Sequence, residues 1–119
     1  MKGTAIGIIA LAMTVSATPA MAWERISDED ALAERVVGRT LVNEAGSSWV
    51  VRANGRIEGN WDGQAMTGIW EWHSGLFCRN VVVGGQQSGT DCQVLEVRGD
   101  SLRVIRDQGR GETSVVTIR

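Results

Sequence analysis

The side chains with the types and spacing to do chemistry are few: Glu71 and His73, the cysteines Cys78 and Cys92, the tryptophans Trp61, Trp70 and Trp72, and Arg79. Glu71 and His73 stand two apart and share one face of a strand, an arrangement that general acid–base catalysis could use. His73 is the sole histidine, with no HxH or HxxxH partner for a metal and no identifiable Ser or Asp alignment for a triad. It is expected as a solvated residue beside a turn. No catalytic residue, metal or cofactor is therefore expected.

The cysteines are too far apart for a two-residue redox pair and lack the further ligands of a zinc site. Both lie seven residues from Gly85, in a run Val81-Val82-Val83-Gly84-Gly85 that reads as a strand entering a glycine turn. A hairpin centred there sets Cys78 opposite Cys92, at the separation a disulfide tolerates. Closing this loop contributes up to ~3 kcal/mol in the chain-entropy account.

Trp70 and Trp72 share a strand face, and Gly68 leaves space beside them. Burial is the first use of such rings; lining an internal cavity is the second. Trp61, next to the turn pair Asp62-Gly63, is the candidate for an aromatic at a barrel mouth. Arg79 is expected to stack on Trp70, with carboxylate binding as its alternative role. The ligand-binding candidates are thus Trp61, Trp70, Trp72 and Arg79.

What positions these residues begins with a leader. Lys2, an apolar run from Ala5 to Val15 and Ala20-Met21-Ala22 read as a secretory signal peptide over residues 1–22. Residues 23–119 then make one domain, small enough to gain from a covalent staple, and export favours disulfide formation. No segment outside the leader is long and apolar enough for a spanning helix. Lys2 is the only lysine, so the remaining cations are all arginine, against 14 Asp plus Glu; the net charge falls from −2 to about −3. With no basic stripe, nucleic acid and anionic membrane surfaces are not expected partners.

Ser27-Asp28-Glu29-Asp30 opens a helix, Leu32 and Val36 give it one apolar face, and Gly38 stops it. Residues 28–37 are expected as the only helix, a lid or plug on the sheet. Beyond Arg39 the apolar period drops to two, with glycine punctuation. Strands are expected near 39–44, 48–53, 57–61, 65–73, 76–83, 90–98, 101–107 and 113–118. The fold class is mainly β, about eight antiparallel strands in a meander that closes into a small barrel or curls strongly. In the second hairpin, a two-residue Asn54-Gly55 turn would mix charged and apolar residues on each face. A longer loop pairs Trp49 with Trp61, Val51 with Gly59 and Ala53 with Ile57, and is the expected register. Residues 106–112 are glycine-rich but lack the helix and Lys-Ser/Thr of a phosphate loop, and read as a hairpin connection.

The acidic-capped helix, Val37-Gly38-Arg39-Thr40-Leu41, Gly68-Ile69-Trp70-Glu71-Trp72, Gly75-Leu76-Phe77-Cys78-Arg79 and Asp91-Cys92-Gln93 together resemble small periplasmic lipocalin-like proteins of Gram-negative bacteria. The resemblance covers most of residues 28–107. It implies a β-barrel-like fold and a periplasmic or secreted location, and it carries no active-site residue. The expected function is a non-enzymatic binding module for a small hydrophobic or peptide-like ligand. The alternative is a periplasmic protein-binding inhibitor or accessory factor that presents residues 61–64 and 106–112 to a partner.

Overall fold

A computed structural model describes Gly3, Gly7 and residues 22–119; apart from Gly3, Gly7 and Ala22, the expected leader lies outside the described residues. The elements run β1 (Glu24–Arg25), α1 (Glu29–Arg35), β2 (Thr40–Val42), β3 (Ser48–Val51), β4 (Arg56–Trp61), β5 (Gln64–His73), β6 (Leu76–Val83), β7 (Gln86–Gln87), β8 (Asp91–Arg98), β9 (Ser101–Ile105), α2 (Arg106–Gly109) and β10 (Thr113–Ile118). Strands β2 to β6 and β8 to β10 form a closed antiparallel barrel in which each strand pairs with the next and β10 returns to β2. The expected eight-stranded meander is present. The short strands β1 and β7 extend it along β8 and β6.

The period-two pattern builds this shape directly. Alternate residues such as Leu41, Val51, Ile57, Met66, Leu95 and Leu102 are buried inside, while their neighbours face solvent. Two hairpins turn on Asp62-Gly63 and Ser74-Gly75, with positive φ at all four residues (49° and 79°, 50° and 80°). These are the turns whose twist matches that of the flanking strands.

The β3–β4 hairpin differs from expectation. Its parity is as read, but Trp49 pairs with Gly59 and Val51 with Ile57, two positions away from the expected partners. The loop is Ala53-Asn54-Gly55, closed by Arg52 N–H to Arg56 C=O at 2.8 Å. Gly59 is what permits this register, because a Cβ there would sit 2.5 Å from Trp49 Cα. Arg52 reaches Glu58 at 2.7 Å, diagonally across the strands.

Helix α1 is shorter than expected. Asp28 is its N-cap, accepting from Ala31 N–H at 2.8 Å, and Glu29 and Asp30 occupy the first turn. Such a cap contributes about 1 kcal/mol. Leu32, Val36 and the preceding Ile26 are 0%, 1% and 2% exposed, so the helix is driven into one end of the barrel as a plug. Gly38 then swings the chain into β2 by donating to Val51 C=O.

Residues 28–37 are not the only helical segment: Arg106–Gly109 forms the single turn α2, broken by left-handed Asp107 and Gln108. The cause is tertiary. Asp91 Oδ1 accepts the Asp107 N–H at 3.0 Å and folds the connection back over β8.

Candidate functional site

The turns after β2, β4, β6 and β9 gather at the end of the barrel opposite α1, and a cavity of about 770 Å³ opens there. Its two walls differ in chemistry. On β3, β4 and β5 the lining is mainly apolar, Trp49, Val51, Ile57, Trp61 and Met66 with Gln64, and the two tryptophan rings are 5.5 Å apart. On β6, β8, the start of α2 and the start of β10, Arg79, Gln93, Arg106 and Ser114 add polar groups among the aliphatics Val81, Val83, Leu95 and Val104. Asp62 and Glu112 also line the cavity and are exposed.

Asp91 organises the polar wall. Its carboxylate accepts from Gln93 Nε2 at 2.9 Å, Arg106 Nε at 3.1 Å and Asp107 N–H at 3.0 Å. Burial pushes its pKa up, but those hydrogen bonds and the Arg79 charge together outweigh burial and hold the carboxyl below its ordinary value. Arg79 behaves in the opposite way. Burial lowers its pKa more than the facing Asp91 restores it, and Arg106 lowers it further. The guanidinium stands 4.0 Å from Asp91 Oδ2, beyond hydrogen-bond distance, and donates to Ser88 Oγ at 3.1 Å.

The disulfide lies on the outside of the same wall. Barrel strands β6 and β8 pair only through Phe77 with Gln93, Cys78 with Cys92 and Arg79 with Asp91. Cys78 and Cys92 are directly opposed, as expected, and bonded at 2.10 Å. The glycine turn pairs Val83 with Gln86, and a one-residue slip between Gln87 and Asp91 brings the cysteines into line. Beyond Gly75 the seam is continued by β1, whose Arg25 pairs with Glu96 and donates to Gly75 C=O.

No family model, curated protein or solved structure matches the chain.

The four sequence candidates separate. Trp61 and Arg79 line the cavity, and Trp61 is at its mouth, 38% exposed. Trp70 and Trp72 lie towards the plugged end. Trp70 is buried against Phe77, with ring centroids 5.6 Å apart, and its indole N–H donates to Arg52 C=O at 2.8 Å. Trp72 is half-buried against the core. Arg79 sits opposite Trp70 in register, yet its guanidinium goes to Ser88 rather than onto the ring. The expected stack is replaced by Phe77, whereas Arg98 and Arg103 stack on Trp23 at 4.4 and 4.5 Å. Glu71 and His73 are exposed on the outer face of β5.

Trp49, Asp91, Gln93 and Arg106 were not singled out by sequence. A signal existed for the polar three. Each shares parity with inward aliphatics, Asp91 and Gln93 with the buried Leu95 and Val97, and Arg106 with the buried Leu102 and half-buried Val104. A charged or amide side chain in an inward position is worth explaining.

Proposed function

We propose that this chain is an exported, non-enzymatic binding module that holds one small, mainly apolar ligand inside its barrel. The observation that carries this is the cavity of about 770 Å³, open at one end and plugged at the other by α1. Its volume is in the range that accommodates small organic ligands, and eight-stranded barrels of this size hold one such molecule. The Trp49–Trp61 pair at 5.5 Å supplies a broad apolar contact near the opening. Export is supported by the leader-like residues 1–22 and by the Cys78–Cys92 disulfide. Among the described residues no helix is long and apolar enough to cross a membrane. Kinship with the lipocalin-like periplasmic proteins is part of the same proposal.

The test is titration with the neutral probe N-phenyl-1-naphthylamine, read by probe and tryptophan fluorescence. Saturable one-to-one binding is expected, and Val104→Trp, which fills the cavity from β9, is expected to weaken it at least about tenfold. An absence of saturable binding, or binding untouched in a folded Val104→Trp protein, overturns the proposal.

A further inference from the structure

Two guanidiniums, Arg79 and Arg106, line one side of the cavity, and the Asp91 carboxylate beside them is already engaged. Asp91 takes hydrogen bonds from Gln93, Arg106 and the Asp107 backbone. Arg79, the deeper of the two arginines at 16% side-chain exposure against 48% for Arg106, is left with Ser88 Oγ as its one hydrogen-bond acceptor among the described residues. A guanidinium carries five N–H donors in a planar fork. Arg79 therefore faces the cavity with donors to spare.

We propose that the ligand is an apolar monocarboxylate whose head group is held by Arg79, with its hydrocarbon body against Trp49, Trp61 and Met66. This rests on the binding-module reading and names its ligand class. A carboxylate matches the guanidinium fork in geometry and offsets the cost of burying a cation. The lowered pKa of Arg79, caused first by burial, agrees with a site that gains from a bound anion. The opposite wall is mainly apolar: Trp49, Val51, Ile57, Trp61 and Met66 line it with only Gln64 as a polar side-chain neighbour on β5, which suits a hydrocarbon chain. The exposed acids Asp62 and Glu112 at the rim act against a ligand of higher negative charge.

The experiment compares three ligands of equal chain length, dodecanoate, dodecanol and dodecyltrimethylammonium, by displacement of N-phenyl-1-naphthylamine at neutral pH. Dodecanoate is expected to bind about tenfold more tightly than dodecanol, with the cation weakest. Arg79→Gln is expected to bring dodecanoate to the level of dodecanol while dodecanol is unchanged, and Arg79→Lys to retain part of the preference. Circular dichroism establishes that each variant is folded. The wild-type ratio of acid to alcohol needs no variant, so a fold lost on substitution leaves that comparison decisive. Equal affinities for acid and alcohol in the wild type, or an Arg79→Gln protein that weakens both alike, overturn the assignment of the head group. If neither the probe nor any of the three binds, the binding-module reading fails first and the ligand class falls with it.

Discussion

The two ends of the barrel are held by different physics. At the plugged end Ile26, Leu32 and Val36 are almost fully buried, and Trp70 stacks on Phe77 beside them. Order there comes from apolar area removed from water. At the open end the barrel wall includes Asp91, Gln93 and Arg106, joined by hydrogen bonds around one carboxylate, with Arg79 facing that carboxylate at 4.0 Å and the disulfide on the outside of the same wall. One end closes the barrel and the other keeps it open. The difference shows how a small β domain can carry a cavity: a packed base supplies the stability that the hollow half lacks.

The contrast can be broken most forcefully at the base. Leu32→Ala removes the most buried side chain of α1 and is expected to cost about 2–5 kcal/mol, read as a lower urea midpoint. If unfolding is unaffected, the helix is not the plug described. Replacing both cysteines by serine is expected to cost about 3 kcal/mol. Unlike Leu32→Ala, it is expected to raise hydrogen exchange most along β6 and β8 at the Phe77–Gln93 and Arg79–Asp91 pairs. Uniform loss of protection would mean the staple serves the whole barrel rather than its seam.

The smallest effect is a pH dependence. Asp91 has a folded pKa below its unfolded value, so its contribution to stability is present above the unfolded carboxylate range and is lost as pH falls through the folded pKa. Asp91→Asn is expected to flatten the acid limb of the stability profile between about pH 5 and pH 2. Denaturant midpoints taken across that range measure it, and an unchanged slope would remove Asp91 from the organising role at the open end.

Much of this was legible in the chain. All eight barrel strands follow from alternation and turn glycines, because side-chain parity is local information. The cysteine pairing is expected from symmetry about Gly85; the turn is in fact centred between Gly84 and Gly85, and the one-residue slip before Asp91 restores the alignment. What parity could not supply was distance along the barrel axis. Trp61, Trp70 and Trp72 look alike on that measure, yet Trp61 stands at the mouth while Trp70 lies towards the plug. Their separation depends on which end α1 enters, a tertiary choice. The β3–β4 register missed for a related reason. Moving the three-residue loop by one position shifts every partner by two, keeps all faces correct and leaves the alternation pattern silent. The α2 turn depends on Asp91 capturing a backbone N–H from sixteen residues away, and no local pattern encodes that.

The Cys78–Cys92 bond also has a mechanical meaning. Pulled from its two ends, the chain transmits tension through the disulfide and bypasses everything between the cysteines. Those fourteen residue steps, at roughly 3.3–3.6 Å each when extended, amount to about 48 Å of hidden length. That hidden length contains both Arg79 and Asp91, so the charged pair of the inner wall lies in the one part of the barrel that force cannot draw out until the bond is reduced.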